Sequence, residues 1–230
     1  MQEYKNLLVV GTSHIARESV EAVKKIIQER KPNIVAVELD RKRLAAVLGQ
    51  VKKRKIRLRD IRNIGIKGVL FNAFGAWVEN KLGKIVDIKP GADMKAAIQA
   101  AEEIKADVAL IDQDIEVTLK RISEELTWRE KGRFLKEIIV SIFTKKEKRI
   151  EFDLTKVPSA DIIKKLTKKL KKTYPSLYKV LITERNEHMA KSLYKLMHER
   201  KEEKIIAIVG AGHEEEIVEL IKHESKILGE

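Results

Sequence analysis

Two segments of this chain carry a glycine followed three positions later by a histidine: Gly11-Thr12-Ser13-His14 and Gly210-Ala211-Gly212-His213. Each comes directly after an apolar run, Leu7 to Val10 in the first case and Lys204 to Val209 in the second. Glycine at such a point lets the chain turn sharply and lets backbone approach a bound group closely. Carboxylates follow two other apolar runs. Glu38 and Asp40 close the run Ile34 to Leu39, and Asp112 and Asp114 follow Asp107 to Ile111. Two imidazoles with one or two carboxylates form a donor set for Mn²⁺, Fe²⁺, Co²⁺ or Zn²⁺, whereas an all-oxygen Ca²⁺ site has no need of histidine. A carboxylate beside such a metal can take a proton from a water whose pKa the metal lowers. Histidines that bond local backbone at helix starts are the commoner outcome for spacing of this kind. The recurrence of the element at two strand ends narrows the gap. A third candidate group is Glu184-Arg185-Asn186, which opens a long helical pattern. Glu and Asn also suit a helix start as dipole partner and cap. His188 lies one turn beyond Glu184, and His198 and His223 fall on charged helical surfaces with no role assigned.

The elements that would position these residues alternate between strand and helix. Leu7 to Val10 reads as a buried strand, broken at Gly11, with Thr12 or Ser13 able to cap the next helix. Val20, Val23, Ile26 and Ile27 recur at helical spacing, and Lys31-Pro32 ends that helix. Ile34 to Leu39 is a second strand, and Asp40 can cap a helix through Arg43, Leu44, Val47 and Leu48. Strand, helix and strand with short joins predict a parallel βαβ unit. Ala92 to Lys105 and Ile115 to Leu126 read as helices on either side of a third strand at 107–111. Glu184 to Arg200 is one long helix with Met189, Leu193, Leu196 and Met197 as its apolar stripe. The last strand and a closing helix, Glu214 to Lys222, end the pattern. The expected fold is α/β: a small, mostly parallel sheet flanked by helices, in a single domain over 1–230 with a helix-rich insert at roughly 113–203. In such sheets ligands bind outside the carboxyl ends of the strands, where the candidate residues stand.

Composition removes several function classes. There is no cysteine, which excludes a disulfide framework, a zinc finger, an iron–sulfur site and a cysteine nucleophile. The hydrophobic share of 43% supports a sizeable core, although aromatics are only 5%. The net charge of +13 favours anionic partners or surfaces. The charged share of 36%, rich in Lys and Glu, suits a thermophile. The basic run Lys52 to Arg59 and the lysines at 164, 165, 168, 169, 171 and 172 lack aromatic interleaving, so solvated helix faces are expected ahead of nucleic-acid binding. Phe71, Phe74 and Trp77, flanked by Lys67 and Lys81, form a stripe expected to pack in a core or against a partner, with an anionic membrane surface as the alternative. Gly210-Ala211-Gly212 is not a dinucleotide loop, because Glu215 stands where the third glycine belongs and would repel a pyrophosphate. No apolar window spans a membrane and no signal peptide is legible, which predicts a cytoplasmic chain, membrane-associated if it belongs to a longer protein.

Taken in order, the motifs resemble the TraB/PrgY family, the pheromone-shutdown proteins. The resemblance is carried by Gly11-Thr12-Ser13-His14, then Val37-Glu38-Leu39-Asp40 with Arg43, then Pro90-Gly91-Ala92-Asp93-Met94. It continues through Asp114-Ile115 with Thr118-Leu119-Lys120-Arg121, then Thr183-Glu184-Arg185-Asn186 with Met189-Ala190, and ends at Val209-Gly210-Ala211-Gly212-His213. That family is similar to the Tiki metalloproteases, the GumN-like proteins and the erythromycin-esterase/ChaN-like fold. The resemblance implies a metal-dependent, peptidase-like site. His14, His213 and Glu38 would hold the metal, and Glu38, Glu184 and Arg185 would serve catalysis. Mn²⁺ or Co²⁺ is the implied metal, with Zn²⁺ as an alternative, and a peptide the implied substrate. The alternative is a non-catalytic peptide-binding module of the pheromone-shutdown kind. Two positions depart from the pattern: Asp93 replaces an expected Glu, and Gln113 stands where Arg is frequent.

Overall fold

A computed structural model of the chain describes residues 1–12, 17–50, 91–133, 136 and 160–227. His14, the basic run Lys52 to Arg59 and the Phe71, Phe74, Trp77 stripe lie outside the described residues. Five strands form one sheet: β1 (Gln2–Tyr4), β2 (Leu7–Thr12), β3 (Ile34–Val37), β4 (Asp107–Leu110) and β5 (Ile205–Gly210). Their spatial order is β1-β2-β5-β3-β4, with β1 antiparallel to β2 and every other pair parallel. The eight helices described are α1 (Arg17–Arg30), α2 (Arg41–Val47), α3 (Ala92–Glu103), α4 (Ile115–Glu125), α5 (Ala160–Thr173), α6 (Pro175–Tyr178), α7 (Glu184–Glu199) and α8 (Glu214–Ile227).

The centre of the sheet is β5, the last strand in sequence. Its six residues Ile205-Ile206-Ala207-Ile208-Val209-Gly210 are all buried. A run apolar at every position is what a strand covered on both faces requires. Alternation then sorts its side chains. Ile205, Ala207 and Val209 join Met189, Leu193, Ile217 and Ile221 of α7 and α8 on one face. Ile206 and Ile208 join Val23 and Ile27 of α1 and Met94, Ala97 and Ile98 of α3 on the other. Each large aliphatic side chain buried this way contributes about 1.5–3 kcal/mol. The result is a sheet sandwiched between two helical layers. The element order between β4 and β5 is entirely helical among the described residues.

Four expectations change. A short strand at Gln2–Tyr4 pairs with β2, although its polar sequence carries no strand pattern. Strand β2 runs on through Gly11 and Thr12, which pair with Val209 and Gly210 instead of breaking the strand. Thr12 is therefore strand, and its hydroxyl donates to Asp93 Oδ2 at 2.5 Å rather than capping a helix. Strands β2 and β3 are parallel but not adjacent, because β5 inserts between them and pairs with both. Among the described residues no helix is long and apolar enough to cross a membrane.

Register brings the strand ends level. Thr12 pairs with Gly210, and Val37 pairs with both Ile208 and Leu110. The Glu38 amide still donates to Ile208 O at 3.1 Å, so the chain leaves the sheet just past β3 with Glu38 at its carboxyl edge.

Candidate functional site

Glu38 is the centre of a buried polar network at that edge. Its side chain is 5% exposed, and Oε2 accepts the Gly210 backbone N–H at 2.6 Å. Its Oε1 accepts from Arg185 Nη2 and lies 3.7 Å from His213 Nε2. Gly210 closes β5 and His213 stands three residues on, so one Gly-x-x-His element supplies both a backbone donor and an imidazole to the same carboxylate.

Arg185 ties Glu38 to Asp112. Its Nε donates to Asp112 Oδ1 at 3.1 Å and its Nη2 to Asp112 Oδ2 at 2.5 Å, a bidentate pairing with a fully buried carboxylate. Nη1 donates to Leu181 O at 3.3 Å. Burial by itself would pull the guanidinium below its usual pKa, but the bonds to Asp112 and the charges of Glu38 and Asp112 outweigh it and hold Arg185 above that range. The helical rod that carries Arg185 is built for this reach. Between α6 and α7 lies one π-helical turn, Lys179–Thr183, in which the Glu184 amide donates five residues back to Lys179 O. Such turns shift the phase of the side chains that follow and recur at functional sites.

A second guanidinium closes the network. Arg43 Nε donates to Asp40 Oδ2 and its Nη2 to Asp112 Oδ2, each at 2.6 Å. Asp40 is the N-cap of α2, its Oδ1 accepting from Lys42 N at 2.7 Å and Arg43 N at 3.0 Å. Burial raises its pKa, but those amides and the Arg43 charge prevail and hold the carboxyl below the usual range. Three carboxylates, Glu38, Asp40 and Asp112, thus face two guanidiniums. The remaining negative charge suits a cation.

His213 is oriented from behind. Its Nδ1 lies 2.5 Å from Asn186 Oδ1, and Asn186 Nδ2 donates to Glu216 Oε2 at 2.8 Å. Asn186 is fully buried and His213 is 6% exposed.

The sequence candidates separate as follows. Glu38, Arg185 and His213 meet. Glu184 turns away. Its carboxylate takes Arg121 Nε at 3.1 Å and Nη2 at 2.7 Å, in a chain that continues through Glu125 to Lys179. Hydrogen bonding to Glu184 and Glu125 holds Arg121 above its usual range. His188 is exposed and forms no ligand pair with Glu184. His14 lies outside the described residues. Among the described residues no three His, Asp or Glu side chains close around one point. The two that do face each other, His213 Nε2 and Glu38 Oε1, are 3.7 Å apart, wider than the roughly 3.0–3.4 Å that separates two donors bonded to one metal at about 2.1 Å.

Asp112 and Asn186 stood in the sequence pattern without an assigned role, and Glu216 was not singled out. Asp112 was visible at a strand end, but its pairing with Arg185 spans 73 positions. Asn186 looked like capping material. Thr12 and Asp93 form a further buried pair at the same edge, and the departure from Glu to Asp at position 93 keeps a carboxylate there. Gln113 donates its side-chain amide to Thr118 Oγ1 at 3.2 Å, so it joins the network only through its backbone, whose N–H donates to Asp112 Oδ1 at 2.7 Å and whose carbonyl accepts from Arg43 Nη2 at 3.2 Å.

Residues 3–225 match the TraB/PrgY/gumN family. An uncharacterized protein of Methanocaldococcus jannaschii is 34% identical over 226 residues, covering 94% of this chain and 53% of that protein. TraB domain-containing proteins of mouse and human are 22% identical over 205 residues, covering 82% of this chain and 52% of each of them. The chain thus spans about half the length of these relatives. With that match across nearly its whole length, the chain belongs to the TraB/PrgY/gumN family.

Proposed function

We propose that the chain is a metal-dependent hydrolase that acts on peptides at the carboxyl edge of its sheet. The observation that carries this reading is the approach of His213 Nε2 to Glu38 Oε1 in a network of buried charge. His213 and Glu38 would hold the ion, with His14 as the third ligand, and Mn²⁺ or Co²⁺ suits that donor set, with Zn²⁺ the alternative. When bound, the ion supplies a Lewis acid that polarises a carbonyl and lowers the pKa of a water.

The chain's own residues supply the rest. Glu38, rather than Glu184, would take the proton of an attacking water, because Glu38 stands beside His213 whereas Glu184 is directed away to Arg121. Arg185 has five N–H groups, of which Asp112, Glu38 and the Leu181 carbonyl take four. The fifth, on Nη1, has no acceptor among the described residues and would steady a substrate oxygen as negative charge develops on it.

One observation favours a second reading, a peptide-binding module without turnover. Glu38 already accepts from both Arg185 and Gly210, which suits a structural carboxylate. The experiment measures metal in protein purified without chelator, beside a His14→Ala/His213→Ala double variant, and then cleavage of a peptide library with Mn²⁺, Co²⁺ or Zn²⁺ added. Stoichiometric metal, lost in the folded double variant, with peptide cleavage is the expected result. Peptide bound but uncut in all three metals favours the second reading. No metal in either protein, even after Mn²⁺ or Co²⁺ is supplied, refutes the hydrolase.

A further inference from the structure

We infer that Asn186 and Glu216 are positioning residues that lock His213 in its Nδ1–H tautomer, so that Nε2 presents its lone pair toward Glu38. The consequence for metal binding rests on the reading above. The tautomer does not, because it follows from three side chains in sequence.

An ionised carboxylate can only accept hydrogen bonds. Glu216 Oε2 lies 2.8 Å from the Asn186 amide, so it must receive an N–H, and that orients the amide with Nδ2 toward Glu216. Oδ1 then faces His213 Nδ1 at 2.5 Å. A carbonyl oxygen can only accept, so Nδ1 carries the hydrogen. In the neutral ring the lone pair is then on Nε2, the nitrogen 3.7 Å from Glu38 Oε1. Each step removes an alternative that the previous group leaves open, and the single charged member, Glu216, decides the whole series.

The scaffold holds the series still. Asn186 sits in the first turn of α7 and Glu216 in the first turn of α8. Those helices pack together through Met189, Leu193, Ile217 and Ile221, all fully buried in one cluster. Asn186 has no exposed surface, so its amide is bonded to its protein partners and not to bulk water. Outer partners of this kind orient ligating histidines, and their loss costs about 10–100-fold in metal affinity.

The test reads the tautomer directly, in the full chain without metal. Two-bond ¹H–¹⁵N correlations are recorded on histidine-labelled protein at about pH 8, where an ordinary imidazole is neutral. A His213→Gln variant assigns the signals. Wild type is expected as Nδ1–H. Glu216→Gln is expected to keep that tautomer, because the new amide can turn its oxygen to Asn186. Glu216→Ala and Asn186→Leu are expected to develop an Nε2–H population, with the Kd for Mn²⁺ or Co²⁺ raised about 10–100-fold. Glu216 is only half-buried, so the Ala and Gln pair decides the matter even if Asn186→Leu does not fold. An Nε2–H or doubly protonated wild-type ring overturns the inference, and so does an Nδ1–H ring that persists unchanged in folded Glu216→Ala. If the tautomer pattern holds while wild type takes up no metal, the positioning role stands and the hydrolase reading falls.

Discussion

Arg185→Met separates the charge network from the packing around it. The thioether fills much of the arginine stem's volume but leaves two buried carboxylates, Glu38 at 5% and Asp112 at 0% side-chain exposure, without the guanidinium that joins them. Breaking a buried ion pair from one side costs about 3–5 kcal/mol. The lower end applies, because both carboxylates keep donors. Asp112 retains Arg43 at 2.6 Å and the Gln113 amide at 2.7 Å, and Glu38 retains the Gly210 amide at 2.6 Å. At about 2–4 °C per kcal/mol for a chain of this size, a loss of about 3 kcal/mol lowers Tm by about 6–12 °C. Circular-dichroism melts with matching urea titrations measure it. Asp112→Asn added to Arg185→Met should recover part of the loss, since one stranded charge disappears, and the two changes should be strongly non-additive. Arg185→Lys should restore less than half, because an ammonium cannot reproduce the fork that grips Asp112 while also reaching Glu38. A Tm within about 2 °C of wild type for Arg185→Met would refute the premise that this guanidinium compensates the buried carboxylates.

Three further outcomes follow from single contacts. Thr12→Val removes the hydroxyl that donates to fully buried Asp93, which should cost about 1–3 kcal/mol in a denaturant titration, while Thr12→Ser keeps most of the stability. Gly11→Ala puts a Cβ into the Glu214 carboxylate and within 3.0 Å of the Ala211 backbone, so it should destabilise by about 1–3 kcal/mol, with only partial relief from a second Glu214→Ala change because the backbone contact remains. Asp40 has a depressed folded-state pKa, so its contribution is fully present above the unfolded carboxyl value near 3.9 and is lost as pH falls through the folded one. Asp40→Asn should therefore be less stable than wild type at neutral pH, with the two melting curves converging below about pH 4; a constant gap down to about pH 2 would count against the linkage.

Much of this architecture was legible because its signals are local. An unbroken run such as Ile205-Ile206-Ala207-Ile208-Val209 has no polar face to offer water, so it had to be a strand covered on both sides. Asp40 had to cap the helix after it, since a short carboxylate there satisfies two amides that the helix cannot. Gly-x-x-His after β5 put His213 just past a strand end, where the general rule for parallel sheets looks for ligands; His14 lies outside the described residues. What the residue pattern could not rank were equivalents. Glu184 and Arg185 are neighbours with equal claims, yet Glu184 turns to Arg121 while Arg185 turns to Glu38 and Asp112. Nothing local distinguishes them; the phase set by the π-helical turn and the packing of α7 does. The insertion of β5 between β2 and β3 was likewise invisible, because parallel partners are chosen by long connections rather than by neighbouring residues. That insertion delivers Gly210 and His213 to Glu38 across some 170 positions of chain, at separations of 172 and 175 residues. Residue type and spacing determined which groups are available. Burial is what determined their partners, because a carboxylate removed from water must find a donor wherever the fold brings one within reach.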